Sequence, residues 1–248
     1  MIEIKKINKF FDKNQVLDNV SFTFQQGKTN LIIGESGSGK TTLLKILIGL
    51  YSSDQGDVLF NGVNFNQISK KEKREIRKEI GMLFQAGALY DYMTVEENIM
   101  FPLTMFTSQS SEEKMQRVNF CLKRVNLEGK NNLMPSELSG GMTKRVAIAR
   151  AISMQPKYLL CDEPNSGLDP KTAILIDNLI HEITEEYNIT TIVNTHDMNS
   201  VMQIGDNIAF INKGKIWWTG DKEQLINSSN KELKDFVFAS NLFKRLKK

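Results

Sequence analysis

The chain has 248 residues, of which 40% are hydrophobic and 25% are charged, a composition typical of a soluble globular protein with one large domain. Its 32 Lys and Arg residues against 29 Asp and Glu residues give a net charge of +3, spread along the chain except at the terminal KRLKK, which argues against nucleic-acid binding. A signal-peptide core and an apolar run of about 18 residues are both absent, so the sequence predicts a cytoplasmic protein that could act at a membrane only through another chain.

The first third of the chain alternates between strand and helix patterns. In chain order it predicts strands at IEIKKI, VSFTF and TNLIIG, a helix at GSGKTTLLKILIG, a strand at DVLFNG, an exposed helix at SKKEKREIRKE and a strand at IGMLF. The pair Asn61-Gly62 that ends DVLFNG predicts a tight turn, because both residue types tolerate the left-handed backbone that such turns require.

The middle of the chain, from about residue 93 to 155, has helical patterns in place of strands. One helix begins with a capping box formed by Ser110 and Glu113. Cys121 in this region and Cys161 in a later apolar strand are predicted to be small buried residues and not a disulfide or metal pair. We expect a helical subdomain here, within a single domain that spans residues 1–248.

The alternation resumes after the helical region. The later part of the chain predicts a strand at YLLCDE, a helix that begins at Asp169 and Pro170, a strand at TTIVNTH and a hairpin at NIAFINKGKIWWTG. Strands that alternate with helices predict an α/β fold with a mainly parallel sheet covered on both faces.

The segment GESGSGKTT, which begins at Gly34, matches the phosphate-loop pattern GxxxxGK[ST] and lies between a predicted strand and a predicted helix. Its glycines allow successive backbone N–H groups to point at phosphate oxygens, Lys40 can reach the β- and γ-phosphates, and the Thr41 hydroxyl can bind Mg²⁺. An ordinary glycine turn would not need these flanking elements. The predicted nucleotide-binding residues are Gly34, Glu35, Ser36, Gly37, Ser38, Gly39, Lys40, Thr41 and Thr42.

Two further apolar strands end in reactive side chains. YLLCDE ends in Asp162 and Glu163, and TTIVNTH ends in His196. Because ligands bind beyond the carboxyl ends of parallel strands, these residues are expected to converge on the phosphate loop. There Mg²⁺ would compensate the negative charge of the buried Asp162. Glu163 would position or deprotonate the water that attacks the γ-phosphate, and His196 would contact the ligand.

A second glycine pair lies about a hundred residues after the phosphate loop, in LSGGMTKRVAIARA. Gly140 and Gly141 stand at the start of a predicted helix, where free N–H groups can bind an anion. Ser139 could equally be an ordinary helix cap. One chain therefore has two segments whose backbone N–H groups could bind phosphate.

The order of these motifs resembles that of the nucleotide-binding subunits of ATP-binding-cassette (ABC) transporters. The resemblance covers nearly the whole chain and rests on the phosphate loop, Gln85 after IGMLF, the LSGG turn, Asp162-Glu163, the SGLD stretch from Ser166 to Asp169, and His196. It implies an ATPase with an antiparallel β subdomain and a helical subdomain beside the parallel core, and ATP and Mg²⁺ as ligands. It also implies a head-to-tail homodimer in which the LSGG turn of one subunit closes over the ATP of the other.

The resemblance implies a role for individual residues as well. Glu163, His196, Lys40 and Gln85 match catalytic positions, and Thr41, Gln85 and Asp162 match the Mg²⁺ ligands. In the LSGG turn, the residues that match contacts to the ATP bound by the other subunit are Ser139, Gly140, Gly141 and Met142. Asp169 matches the aspartate that links the two sites, and Phe11 matches the aromatic residue that stacks on adenine, with Phe10 as a neighbouring candidate.

Met142 departs from the Gln that usually follows LSGG. Together with FQAGALYDYMTVEENIMFPL it makes the chain similar to the ATPases of Mla-type phospholipid transporters, which implies a membrane permease and an MCE-domain lipid-binding protein as partners, with the ATPase on the inner face of the membrane. Amino acids, metals or lipoproteins remain alternative cargoes. A nucleic-acid-associated ABC ATPase is the other alternative, against which the single cassette and the absence of a coiled coil or basic stripe both argue.

Two apolar clusters have no assigned role. Five methionines lie in or after the IGMLF strand and could line a groove for a permease helix or belong to the core: Met82, Met93, Met100, Met105 and Met115. The tail from Lys231 to Lys248 has apolar residues at helical spacing, namely Phe236, Ala239, Leu242, Phe243 and Leu246. We expect the tail to pack on the core, with the twin subunit or anionic lipid as alternatives.

Overall fold

A computed structural model of the protein describes residues 1–239. The strands are β1 (Ile2–Phe11), β2 (Asn14–Phe24), β3 (Thr29–Ile33), β4 (Gln55–Phe60), β5 (Val63–Asn64), β6 (Ile80–Leu83), β7 (Tyr158–Asp162), β8 (Thr190–Thr195), β9 (Asn207–Asn212) and β10 (Lys215–Gly220). The helices are α1 (Lys40–Leu47), α2 (Lys70–Lys78), α3 (Val95–Phe106), α4 (Ser111–Arg124), α5 (Gly140–Ile152), α6 (Pro170–Glu186), α7 (Met198–Ile204), α8 (Lys222–Asn227) and α9 (Lys231–Ala239).

The main sheet is mainly parallel, which confirms the predicted fold class. Its strand order is β10-β9-β3-β8-β7-β6, and the three apolar strands β3, β8 and β7 are parallel neighbours at its centre. Every residue of these three strands is buried, as expected when helices or a second sheet cover both faces. In the register Ile33 pairs with Thr195 and Asp162 with Asn194, so the carboxyl ends of all three strands meet at one edge.

The second sheet is antiparallel, with strand order β2-β1-β4-β5. Its first hairpin is longer than predicted, because the strands continue to Phe11 and resume at Asn14, and Asp12 turns the chain with a φ of 52°. The polar and exposed positions near this turn hid the strand pattern from the sequence. The predicted Asn61-Gly62 turn joins β4 and β5 with φ angles of 47° and 83° and is confirmed.

Two hydrophobic cores follow from the alternation of side chains along β3. Ile32 faces the core formed with α1 and the antiparallel sheet, whereas Leu31 and Ile33 face the core formed with α3 to α7. Residues 93 to 155, all described, contain α3, α4, α5 and a short 3₁₀ turn, and no strand. Ser110 and Glu113 form the predicted capping box. The two cysteines are buried and free, as predicted.

The methionines divide between core and surface. Met82, Met100 and Met115 pack against the hydrophobic cores, whereas Met105 is 56% exposed. In the tail, α9 buries Leu233 and Val237, and the ring of Phe236 lies 5.3 Å from that of Phe210. The described part of the tail therefore packs on the core, as expected, while Leu242, Phe243 and Leu246 lie outside the described residues. Up to residue 239, the helices are too short or too polar to span a bilayer.

Candidate functional site

The phosphate loop, residues 34 to 42, connects the buried end of β3 to α1. Gly34 has a φ of 152°, and a Cβ atom there would overlap the carbonyl oxygen of Ile211. Gly39, the N-cap of α1, has a φ of 108°, and its Cβ would lie 2.8 Å from Leu17 Cδ2. Both positions therefore require glycine, and they bring the backbone of the loop close to two neighbouring strands.

Lys40 folds back over the loop that precedes it. Its Nζ donates to the carbonyl oxygens of Gly34 at 2.8 Å and Glu35 at 2.9 Å, and the side chain is buried. Burial lowers the pKa of Lys40, and the carboxylates of Glu163 and Asp162 partly oppose this shift. The ammonium group thus stands between the loop and the two acidic residues at the end of β7, where the phosphates of a nucleotide would lie.

Asp162 lies beside the hydroxyl that the sequence predicts as its Mg²⁺ partner. Thr41 Oγ1 donates to Asp162 Oδ1 at 3.2 Å, and Asn194 Nδ2 donates to the same oxygen at 3.1 Å. A hydroxyl and a carboxylate at this separation are hard oxygen ligands suited to Mg²⁺. Nearby, the buried Ser38 Oγ has no hydrogen-bond partner among the described residues, as expected of a hydroxyl that hydrogen-bonds with a polar ligand. These residues fit the predicted Mg²⁺ and nucleotide.

Glu163 and His196 contact each other at the ends of β7 and β8. His196 Nδ1 lies 2.9 Å from one Glu163 carboxylate oxygen and 2.7 Å from the other. Glu163 has a φ of 50°, a left-handed backbone that glycine and asparagine adopt readily but that costs energy for a glutamate. This backbone turns the carboxylate out of the strand and toward the histidine.

These groups border one cavity of about 350 Å³. Its lining consists of Val16, Ser36, Gly37, Gly39, Lys40, Thr41, Thr42, Gln85, Glu163, Ser166 and His196. Nine of these were predicted from the sequence. Val16 and Ser166 were not predicted as site residues: Val16 carries no sequence signal, whereas Ser166 was named only as the start of the SGLD stretch.

A larger cavity, of about 540 Å³, lies where Tyr158 and Thr190 begin β7 and β8. This is the opposite edge of the sheet from the phosphate loop. No predicted site residue lines it, so volume alone does not identify the functional site. We assign the site to the smaller cavity, because the chemistry of its side chains is that of a phosphate and metal site.

Gln85 is held from two sides. Its side-chain Nε2 donates to Ser166 Oγ at 3.4 Å, and its backbone carbonyl accepts a hydrogen bond from the Lys144 ammonium group. Lys144 lies in α5 and is buried, and burial lowers its pKa. The sequence analysis missed this lysine, which connects the helix that follows the LSGG turn to the loop of Gln85.

The LSGG turn lies outside the cavity. Ser139 is the N-cap of α5, and its Oγ accepts a hydrogen bond from the Met142 N–H at 3.3 Å. Ser139 and Gly140 are exposed, and neither they nor Gly141 and Met142 line the cavity of their own chain. The helix-cap role of Ser139 is therefore present, and the start of α5 remains open to solvent.

Asp169 and Phe11 also lie outside the cavity lining. Asp169 caps α6: its carboxylate accepts hydrogen bonds from the Thr172 hydroxyl and from the backbone N–H groups of Thr172 and Lys171, which lower its pKa. Phe11 is 40% exposed at the end of β1, and its ring packs edge-to-face on Tyr51 with the centroids 5.3 Å apart. Phe10 is exposed to a similar extent.

Comparison with known proteins agrees with this geometry. The family model described as ABC transporter matches residues 17–166. The methionine import ATP-binding protein MetN of Clostridium acetobutylicum is 42% identical over 241 residues, which are 97% of this chain and 75% of the relative. The intermembrane phospholipid transport system ATP-binding protein MlaF of Haemophilus influenzae is 38% identical over 237 residues, which are 96% of this chain and 90% of the relative.

Solved structures share the fold. The ATP-binding cassette MJ0796, described as a dimer in a post-hydrolysis state bound to ADP and Pi, is 34% identical with a TM-score of 0.81 and covers 89% of this chain and 98% of its own. CbiO1 from Clostridium perfringens, described as part of the ABC transporter complex cbiONQ, has a TM-score of 0.83 at 29% identity and covers 99% of this chain and 93% of its own. The chain belongs to the ABC transporter family and is one of its ATP-hydrolysing subunits.

Proposed function

We propose that two copies of this chain bind two ATP molecules at a head-to-tail interface and hydrolyse them to drive a membrane permease. The observation that carries this proposal is that the two candidate phosphate-binding segments, the phosphate loop and the LSGG turn, lie apart in one chain. The phosphate loop lines the cavity, whereas the exposed start of α5 at Ser139 and Gly140 does not. In a two-fold dimer each α5 start would close over the cavity of the partner, so both half-sites would be used at once.

In this arrangement each residue group has one task. The loop from Gly34 to Thr42 and Lys40 bind the triphosphate, and Phe11 stacks on the adenine. Mg²⁺, held by Thr41, Gln85 and Asp162, would neutralise charge on the phosphates. Glu163 positions and deprotonates the attacking water, and His196 orients Glu163 and contacts the γ-phosphate.

Asp169 has the remaining task in the dimer, where it would link the two sites. Its place beside the α5 start supports this, because Leu168 lies next to Gly140 and Thr172 next to Gly141 in the same chain. Differential affinity of the closed and open dimers for ATP and ADP would couple hydrolysis to movement of the permease.

The dimer is tested by the substitution Gly140→Ala. Gly140 has no positive φ, and an added Cβ would meet only Leu168 Cδ2, at 3.5 Å, so the single chain accommodates the methyl group. The methyl group would block the approach of a phosphate to the N–H groups of α5. We expect Gly140→Ala to abolish the ATP-dependent dimer measured by light scattering, while the exposed Ser136→Ala, just before the turn, leaves it intact. An unchanged dimer in Gly140→Ala would contradict the proposed interface.

For the cargo we propose phospholipid, with an MCE-domain protein as a further partner and the inner face of the cell membrane as the location. Met142, the segment from Phe84 to Leu103 and the similarity to MlaF support this assignment. The higher identity to MetN supports methionine as a second candidate. Mass spectrometry of the complex purified from its native membrane tests both. A permease with an MCE-domain protein in the complex supports lipid transport, whereas a permease with a methionine-binding protein would contradict it.

A further inference from the structure

Asn194 is a polar residue inside the fully buried central strand β8. This strand lies between β3 and β7, and its register pairs Asn194 with Ile32 on one side and with Asp162 on the other. Side chains alternate along a strand, so Asn194 lies on the same face as Ile192, which packs in the core formed with α1 and the antiparallel sheet. An amide buried at such a place costs free energy unless hydrogen bonds compensate for the lost water.

Asn194 contacts both acidic residues at the end of β7. Its side-chain Nδ2 donates to Asp162 Oδ1 at 3.1 Å, the oxygen to which the Thr41 hydroxyl also donates, at 3.2 Å. Its backbone carbonyl oxygen accepts a hydrogen bond from the N–H of Glu163 at 3.0 Å. One residue of β8 therefore holds the side chain of Asp162 and the backbone of Glu163.

The second oxygen of each partner in this contact has no hydrogen-bond partner of its own. Among residues 1–239, both donors to the Asp162 side chain bind Oδ1 and none binds Oδ2, while the buried Asn194 Oδ1 accepts no hydrogen bond. An ionised carboxylate only accepts hydrogen bonds, so the NH₂ group of Asn194 has to face Asp162. An apolar side chain at position 194 would leave no buried oxygen unpaired. The amide is therefore explained by its bond to Asp162 and not by packing.

The two donors to Asp162 belong to different parts of the chain. Thr41 belongs to the phosphate loop and is itself a proposed Mg²⁺ ligand, and the neighbouring Lys40 donates to carbonyl oxygens of that loop. Asn194 belongs to a strand that is paired on both sides. A support on a rigid element fixes a ligating side chain more firmly than a support on a loop that also receives the nucleotide. Asn194 is thus the contact that can hold Asp162 while the loop takes up its ligand.

We propose that Asn194 is a positioning residue for Mg²⁺: it binds Oδ1 of Asp162 and so keeps Oδ2 available to the metal ion. The inference rests on the Mg²⁺ role proposed above for Asp162, and it assigns Asn194 no bond to the ion. Residues that orient a metal ligand in this way typically contribute about 10- to 100-fold to the affinity for the metal. The loss of Asn194 should therefore weaken metal binding and leave the binding of metal-free nucleotide unchanged.

The test uses Mn²⁺ as a paramagnetic substitute for Mg²⁺ and measures its binding by electron paramagnetic resonance. The protein is in excess over ADP, so that all of the nucleotide is bound, and the measurement requires neither turnover nor the proposed dimer. We expect Asn194→Leu to lower the affinity for Mn²⁺ about tenfold, while the affinity for ADP in EDTA stays within about twofold of the wild-type value.

A second variant covers the case in which Asn194→Leu fails to fold and so to bind ADP in EDTA. Asn194→Thr keeps a polar, β-branched side chain that suits a strand, but its hydroxyl is one atom too short to replace Nδ2. It should lower the affinity for Mn²⁺ about tenfold as well. The matched control is Thr190→Val, which removes a buried hydroxyl without a described partner from the other end of the same strand and should leave both affinities unchanged.

The variant Asp162→Asn separates this inference from the function on which it rests. Because Asn194 acts through Asp162, the double variant Asp162→Asn/Asn194→Leu should bind Mn²⁺ no more weakly than Asp162→Asn alone. If Asp162→Asn loses affinity for Mn²⁺ while both Asn194 variants keep the wild-type value, the positioning role alone fails. If Asp162→Asn itself keeps the wild-type affinity, the proposed Mg²⁺ role of Asp162 fails. An equal loss in Thr190→Val would also overturn the positioning role.

Discussion

Glu163 and His196 contact each other although they end different strands, with His196 Nδ1 2.7 and 2.9 Å from the two carboxylate oxygens. The histidine side chain is 55% exposed and the carboxylate 14% exposed, so the pair faces the cavity with the histidine on its open side. A carboxylate oriented in this way next to the phosphate loop can accept a proton from a water molecule at the γ-phosphate.

The first prediction concerns Glu163→Gln. Glutamine keeps the shape of the side chain but cannot act as a general base, so turnover should fall at least about a hundredfold while the affinity for ATP is retained. Phosphate release and nucleotide fluorescence measure the two quantities, and Glu128→Gln on an exposed loop is the control. A variant with wild-type turnover would contradict the assigned role, and an ATP-bound dimer that persists in the variant would support it.

The second prediction concerns Lys40→Met. Lys40 is the buried cation of the phosphate loop, and its removal deletes the charge that we propose meets the β- and γ-phosphates. We expect the affinity for ATP to fall at least about tenfold, measured by titration calorimetry. Lys45→Met provides the control on the same helix, because Lys45 lies over the ring of Tyr51 and outside the cavity lining. Equal losses in both variants would argue against a specific phosphate contact.

The third prediction separates two glycines of the loop by their stability effects. An alanine at position 34 would overlap the Ile211 carbonyl oxygen, whereas an alanine at position 37 would find no atom within 4 Å and only the cost of a φ of 82°. Gly34→Ala should lower the free energy of unfolding by more than about 3 kcal/mol, and Gly37→Ala by about 1 kcal/mol. Urea unfolding without nucleotide measures both. Equal losses would mean that the backbone moves away from Ile211.

The fourth prediction concerns pH and Asp177, a carboxylate of α6 that is 2% exposed. Its pKa is about 6 in the folded chain against an ordinary 3.8, so the neutral form is favoured by folding. The corresponding stabilisation, at most about 3 kcal/mol, is complete below pH 4 and is lost as the pH rises through 6. Asp177→Asn, which is always neutral, should therefore raise the free energy of unfolding at pH 8 and raise it less at pH 5. Urea unfolding at both values checks this, and a gain independent of pH would contradict it.

The sequence predicted the fold well where local patterns suffice. The apolar strands β3, β7 and β8 were found from their composition, and their carboxyl ends could be placed together because parallel strands share one functional edge. The capping box of α4 and the turn after β4 follow from a few neighbouring residues. The extent of the first hairpin was not predicted, because the positions near its turn are polar and exposed. The parallel pairing of β9 with β3 was not predicted, because it depends on contacts between distant segments.

The sequence predicted which residues form the candidate site, but not the contacts that hold these residues in place. The phosphate loop, Asp162, Glu163 and His196 are recognisable because their spacing relative to strand ends carries the signal. The contacts of Asn165 with Ser200 and of Lys144 with Gln85 have no such spacing, since helices and loops far apart in sequence bring these residues together. Nor could the left-handed backbone of Glu163 be read from a residue type that rarely adopts it.

The way Lys40 is held has a consequence for how readily the loop accepts a ligand. Its ammonium group has already left bulk water and rests on two carbonyl oxygens of its own loop. The dehydration of the amine is thus completed during folding, and an arriving phosphate only has to exchange places with neutral acceptors. Because bonds from an ammonium group to charged oxygens are the stronger ones, this swap favours capture with little rearrangement. The phosphate loop thus takes its binding shape during folding, before any phosphate arrives.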